Sequence, residues 1–289
     1  SNTDPLLFLE FHRQFTHSLF FIPIGGLICA LVLQGLINRH QTITFKQCWI
    51  YCTLGYATHG LLDACTTYGT QLFWPFSNVR IAWNTLSIID PIYTLPLLVL
   101  VLTSIIKHSK QTAQIALCWV LIYPTIGMIQ RDRAEQAAWL LAKARNHQPL
   151  RLEAKPSFAN ILLWKTIYET DSNYYVDAIR VGSNTTVFAG EHIKKLDLKR
   201  DLPWLDTQSQ QAKDIERFRW FSNGYIAQTT DNPLHIADIR YSMVPNQIKA
   251  MWLISVEPTT DDQQHAAYET ERDLPEGGRE ELMRMLFNR

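Results

Sequence analysis

The chain has 289 residues, 47% of them hydrophobic, with 27 Lys+Arg against 27 Asp+Glu and a formal net charge of zero. That length holds one large domain or two ordinary ones, and the lack of a basic excess excludes an electrostatic case for nucleic acid as a partner. The average hides an asymmetry: residues 1–147 carry 10 basic and 6 acidic side chains, while residues 148–289 carry 17 and 21.

The composition shift places the expected domain boundary at 147/148. The chain opens Ser1-Asn2-Thr3 without Met, which reads as a processed or partial sequence. Ser18–Ile37 has no charged residue and is long enough to span ~30 Å of hydrocarbon as a helix. Three further runs follow: Gln47–Leu62 and Gln111–Gln130 without charge, and Ile81–Ile106 with Asp90 as its only charge. Four such runs predict about four antiparallel membrane spans rather than core helices of a soluble protein. Pro23, Gly25, Gly26, Pro91, Pro96 and Pro124 interrupt them, which membrane helices tolerate where neighbours satisfy the freed backbone groups.

After Gln130 the pattern changes. Arg131–Arg145 is an amphipathic helix with Ala134, Ala137, Ala138, Leu141 and Ala142 along one side. From about Phe158 the signals are β: WKTIYE, YYVDAIRVG, TTVFAG, RFRWFSNGYIAQTT, LHIADIRYS and IKAMWLISVEP. Asp171-Ser172-Asn173 and Ser222-Asn223-Gly224 are expected turns. Lys194–Leu205 and Thr207–Ile215 read as a helical or loop insertion, and Gly278–Phe287 as a terminal helix. The fold class is therefore α+β: a helical membrane domain over residues 1–147, then a mainly β soluble domain over residues 148–289. The five cysteines all lie in the first half, mostly within apolar runs, so no disulfide framework is expected.

Polar residues bordering apolar runs need explaining, because ionisable groups at membrane depth are costly and point to function. His59 and Asp63, four apart, share one helix face. Alternating spans bring His17, Asp63 and Asp90 to the same side of the bilayer, with the soluble domain emerging there and able to cap them. His17, His59, Asp63 and Asp90 form a candidate metal set of nitrogen and oxygen donors suited to zinc, with manganese and iron as alternatives. Arg13 suits anionic substrate charge, and with Asp63 it is the candidate catalytic pair. His12, Thr16, Ser18, Thr66, Thr67 and Tyr68 are candidates to orient those groups. Each has a plainer reading: Asp90 before Pro91 as a helix N-cap, Asp63 as a solvated helix end, His17 as an interfacial histidine.

The strings HRQFTHS, HGLLDACTTYGTQLFWPF and SIIDPIYTLP resemble the membrane-bound metal-dependent hydrolase family, which includes LexA-regulated, predicted inner-membrane hydrolases of bacteria. NILLWKTIYET, RFRWFSNGYIA and IADIRYS resemble its longer members. The resemblance implies a multi-pass protein of the bacterial inner membrane with a metal-dependent hydrolase site. By the family pattern, His12, Arg13, Thr16, His17 and Ser18 match the first block. His59, Asp63, Thr66, Tyr68 and Gly69 match the second, and Asp90 the third. The family's earlier Thr-His pair and Pro-Asp-x-Asp motif have no counterpart before His12. An upstream helix pair with further ligands is therefore expected to be missing from this sequence.

Three functions compete. The first is a metal-dependent hydrolase at the bilayer surface, acting on a small, phosphoester or lipid-linked substrate. The second is a non-enzymatic membrane protein whose polar cluster pins helices and whose β domain binds a partner. The third is an ion-coupled transporter using Asp63 and Asp90, for which the internal repeat that would favour it is missing.

Overall fold

A computed structural model describes residues 4–37, 43–258 and 261–287; Ser1, Asn2 and Thr3, read above as the mark of a partial sequence, lie outside it. The chain forms two compact units: Phe11–Met128, and Ser1–Glu10 together with Ile129–Arg289. They part inside one long helix rather than at 147/148.

The Phe11–Met128 unit is helical. Helix α1 (Leu7–Phe11) belongs to the other unit but for its last residue; this unit then runs through a 3-10 turn (Phe15–His17) into α2 (Ile22–Ile37), α3 (Phe45–Cys65), α4 (Pro91–Lys107) and the start of α5 (Lys110–Ala144). Thr44 and Gln47 form a reciprocal capping box that starts α3. Asp90 caps α4 with Pro91 in the first turn, and His108 closes that helix in the left-handed conformation. Glycines set how closely these elements approach. A Cβ on Gly26 of α2 would lie 2.6 Å from the Thr53 Cα of α3, and one on Gly60 would lie 2.3 Å from the His17 carbonyl oxygen. The glycines that interrupt the first apolar run are thus contact points for α3.

About four spans were expected, and the helices do not supply them. By length and composition α5 alone among the described residues can cross a membrane; Leu7–His17 with Ile22–Leu36, bent by 78° at the break, makes a second if the pair counts as one span. The 21-residue α3 carries Lys46, Gln47, Thr53, Thr58, His59 and Asp63, too polar a set for a lipid-facing rod. The 17-residue α4 reaches only about 26 Å at 1.5 Å per residue, short of a ~30 Å core. The apolar surface itself is real: Leu31, Leu36, Leu54, Val99, Ile105 and Leu121 each expose more than half their area, a density that marks contact with lipid or protein.

The other unit is mainly β. One five-stranded antiparallel sheet runs β1 (Arg151–Pro156), β2 (Leu163–Glu169), β3 (Asn173–Val181), β4 (Thr185–Phe188), with β5 (His192–Lys194) also on β3. A second runs β6 (Ile226–Gln228), β7 (His235–Asp238), β8 (Trp252–Ser255), β9 (Ala267–Thr270). Every residue of β2 is buried. Between the sheets Ile167, Tyr174, Val176, Tyr225, Ala227 and Ile239 form one core cluster. The second half of α5 lies on the first sheet, with Ala134, Ala138 and Ala142 buried and Gln130 and Arg133 donating to the Val181 and Gly182 carbonyls. The amphipathic stretch expected over Arg131–Arg145 is therefore the continuation of the fourth apolar run. Arg145 reaches Asp177 through two hydrogen bonds of 2.7 and 2.8 Å.

RFRWF, expected as strand, is the end of a helix, α7 (Gln210–Phe221). Ile215, Phe218 and Phe221 recur every three residues and are buried with Leu6, Leu9, Ile236 and Ile254. The aromatic content mimicked a strand while the spacing was helical. Asn223 and Gly224, both at positive φ, turn the chain into β6, as the Ser222-Asn223-Gly224 turn requires. The helices α6 (Leu198–Asp201) and α8 (Gly278–Phe287) complete the unit. All five cysteines are free.

Two predictions follow from the packing. Gly60→Ala pushes a methyl group into the His17 carbonyl and is expected to cost about 1–3 kcal/mol. Gly55→Ala in the same helix, with open space around it, is expected to gain about 0.5–1 kcal/mol; opposite shifts of the thermal midpoint in detergent check this. In the β unit, Asp238 is 0% exposed and Arg240 4%, joined by contacts of 2.9 and 2.6 Å. Asp238→Ala strands the guanidinium and is expected to cost roughly 3–5 kcal/mol, the Asp238→Leu/Arg240→Met pair far less; denaturant unfolding followed by tryptophan fluorescence separates them.

Candidate metal centre at the end of the third helix

Asp63 stands in the last turn of α3, one turn after His59. The 3-10 turn lies across this helix where Gly60 leaves room, and it carries His17 to the same face. His17 Nε2 lies 2.9 Å from Asp63 Oδ2 and His59 Nε2 lies 3.9 Å from the same atom. The three ligating atoms all fall within 4.8 Å of one another. Donors on a tetrahedral ion at 2.0–2.2 Å sit roughly 3.3–3.6 Å apart, so these spacings bracket what one ion requires. The imidazole rings are 4.2 Å apart, tilted by 41°.

The surroundings hold two of these donors, His17 and Asp63. Thr16 Oγ1 is 2.9 Å from His17 Nδ1, which leaves Nε2 to face Asp63 and orients the ring as outer-shell partners do. The Tyr56 hydroxyl donates to the Thr16 carbonyl at 2.8 Å. Arg13, 7% exposed and at φ 56°, sits with Nε 3.4 Å from Asp63 Oδ2. Its Nη1 donates to the Asp63 carbonyl at 3.2 Å and to Thr66 Oγ1 at 2.6 Å. A guanidinium on the closing carbonyls of a helix meets both orphan acceptors and the negative end of the dipole. Arg13 was expected to receive substrate charge; its guanidinium is instead engaged by Asp63 and Thr66 at the end of α3. Tyr68 lies beside it, with the guanidinium carbon 5.4 Å from the ring centroid.

Asp90 does not join this group. Its Oδ1 accepts from the Ile92 and Tyr93 amides at 3.0 and 3.2 Å, and its Oδ2 accepts from the Tyr123 hydroxyl at 2.9 Å. The N-cap alternative accounts for it: the carboxylate is held by helix amides, and the expected fourth ligand is withdrawn. Ser18 accepts from the Phe21 amide at 3.2 Å and serves the start of α2. Thr67 is buried, and the His12 carbonyl accepts from Arg80 at 3.2 Å.

Sequence reasoning passed over Tyr56, Gly60 and Arg80. Arg80 Nη2 donates to the Tyr68 and Gly69 carbonyls at 3.3 and 3.1 Å, so it ties the His12–Arg13 segment to the turn after α3. Gly69, at φ 85°, makes that turn possible. The signal was present, since Arg80 is the sole charged residue between Asp63 and Asp90. A second group of metal-ligand types, Asp4, Asp214 and His265, encloses the Arg217 guanidinium, which bonds Asp4, Glu10 and Asp214 at 2.6–3.0 Å; it is an ion-pair network.

Residues 2–134 match the family model described as YdjM inner membrane protein, a stretch that contains the whole His17, His59 and Asp63 group. A 71-residue segment is 35% identical to inner membrane protein YbcI of Escherichia coli (strain K12), covering 24% of this chain. The match spans 39% of that relative's length. No solved structure matches. Neither description names an activity or a metal, and both carry the same location: the protein is one of the bacterial inner membrane.

Proposed function

We propose that the protein is a metal-dependent hydrolase of the inner membrane, with His17, His59 and Asp63 as the ligands of one divalent ion of the zinc class. The observation that carries this reading is the convergence of three donor atoms within 4.8 Å at the end of one helix. Three protein ligands with His59 half-exposed (49%) match the pattern of catalytic sites, which keep a coordination position open. Such an ion supplies Lewis acidity and an acidified water, and the reading extends to phosphoester or lipid-linked substrates at the bilayer surface. Arg13 holds the Asp63 carboxylate and the helix end in place. Thr16 orients the His17 ring through the 2.9 Å contact at Nδ1; in the tautomer that ligation requires, Nδ1–H donates to Oγ1 and Nε2 is unprotonated.

A second reading rests on the direct 2.9 Å contact between His17 and Asp63. Without an ion, the same groups form a polar clamp that pins the 3-10 turn to α3. Interhelical polar contacts of this kind contribute ~0.6–2 kcal/mol each in membranes.

Metal titration of the full chain in detergent or nanodiscs separates the two. The hydrolase reading expects zinc binding near one ion per chain, loss of binding in Asp63→Asn, about tenfold weaker binding in Thr16→Val, and metal-dependent turnover in a phosphoesterase and lipid-ester screen. Ligation needs unprotonated imidazoles, so affinity is expected to fall as the pH is lowered. A wild-type protein that takes up no metal, whose thermal midpoint ignores chelator but drops in Asp63→Asn, leaves the clamp standing and removes the hydrolase.

A further inference from the structure

Lys165 of β2 is 4% exposed, and no carboxylate lies within ion-pair distance of it among the described residues. The charged groups around it are committed elsewhere. Glu191 accepts from the Ile248 amide at 2.7 Å. Asp238 holds Arg240. Lys155, opposite Lys165 in β1, pairs with Glu153 at 2.9 Å. An ammonium buried without a counterion costs several kcal/mol, and burial pushes the Lys165 amine down to about 7, despite the opposing charges of Glu191 and Asp238. A neutral amine carries a lone pair. Nζ lies 2.7 Å from Ser242 Oγ and 2.8 Å from the Gln247 carbonyl oxygen. Lys165 is buried, whereas Ser242 is only partly buried. Its oxygen is also 2.7 Å from the Val244 carbonyl. The single hydroxyl proton therefore has two destinations: Val244 when Lys165 is charged, Nζ when it is neutral.

The geometry points to a second, metal-independent site in the β unit: a Ser242–Lys165 pair in which Ser242 is a nucleophile and Lys165 its general base, acting on carboxylic esters. In the acylation step Ser242 Oγ bonds to the ester carbonyl carbon as its proton moves to Lys165 Nζ. The carbon–alkoxide bond then breaks, and the leaving alcohol takes that proton from Lys165. Water hydrolyses the acyl-serine by the same route in reverse order, returning the carboxylic acid and the free hydroxyl. Serine–lysine pairs are an established variant of the nucleophile–base arrangement, and lysines are recruited as bases by this kind of desolvation.

The test uses the full chain in detergent, with chelator present throughout and a biotinylated fluorophosphonate as probe. Its reaction forms an Oγ–P bond, releases fluoride and delivers the hydroxyl proton to Lys165. The expected result is one label, mapped to Ser242 by peptide mass, with a rate rising about tenfold per pH unit below 7 and levelling above it. Ser242→Ala is expected to abolish it, and Lys165→Met to slow it by at least about a hundredfold while keeping cooperative unfolding. Should Lys165→Met fail to fold, Lys165→Arg, which keeps the charge and lacks a base at these pH values, is expected to show the same loss. A folded wild type that stays unlabelled from pH 6 to 9, a label on another residue, or an unchanged rate in the folded lysine variant overturns the assignment. Chelator leaves this signal intact and removes zinc-dependent turnover, so the two sites are read separately.

Discussion

The arrangement of the helical unit turns on the Asp63 carboxylate. It sits where α3 ends, so the helix presents a charged side chain and unpaired carbonyls at one point. His17 and Arg13 both come from the segment before α2, and both close on that point. Their approach depends on Gly60, because any side chain there would collide with the His17 backbone. The contact therefore fixes the 3-10 turn, and the turn fixes the start of α2. Arg80 ties the same segment from its other side, through the His12 carbonyl. A polar cluster at this position gives the unit its internal register whether or not an ion completes it.

What the sequence revealed follows from the range of the forces involved. The His59/Asp63 pair was readable because helical periodicity places i and i+4 together. The placing of His17 beside them came from counting spans, and the packing brings it there even though the spans number fewer than four. The local route through Gly60 accounts for that outcome better than the alternation did. Asp90 was grouped with the cluster by the same count, and there the local rule prevailed: a carboxylate followed by proline is satisfied by its own helix. Arg80 went unnoticed since its partners are backbone carbonyls, which carry no sequence signal.

The β unit shows the same limits. Hairpins with clean turn residues, such as β2 to β3 around Asp171-Ser172-Asn173, were legible because turn chemistry is local. The strand β1 was not, since RLEAKP has polar character and is defined by its pairing with β2. α7 was misread because composition and spacing disagreed, and burial follows spacing. Hydropathy overcounted spans for a related reason: a run of uncharged residues in α3 includes threonines and a glutamine that count as neutral in charge yet do not suit lipid.

Asp90, Asp63 and Lys165 are ionisable groups wholly or partly withdrawn from water, and their partners decide what each one means. Asp90 is charge met by fixed dipoles, two amides and a hydroxyl, and needs nothing further. Asp63 is charge met by side-chain donors, two imidazoles and a guanidinium, which are groups a metal ion could displace or join. Lys165 has neutral acceptors and no opposite charge at hand, so its cheapest state is the uncharged one. Burial alone would have ranked all three as functional. Counting partners sets Asp90 aside, singles out Asp63 as the carboxylate a cation would join on the proposed reading, and singles out Lys165 as the proposed base; the same count applies to the Asp4, Glu10 and Asp214 group, whose cation is already supplied by Arg217.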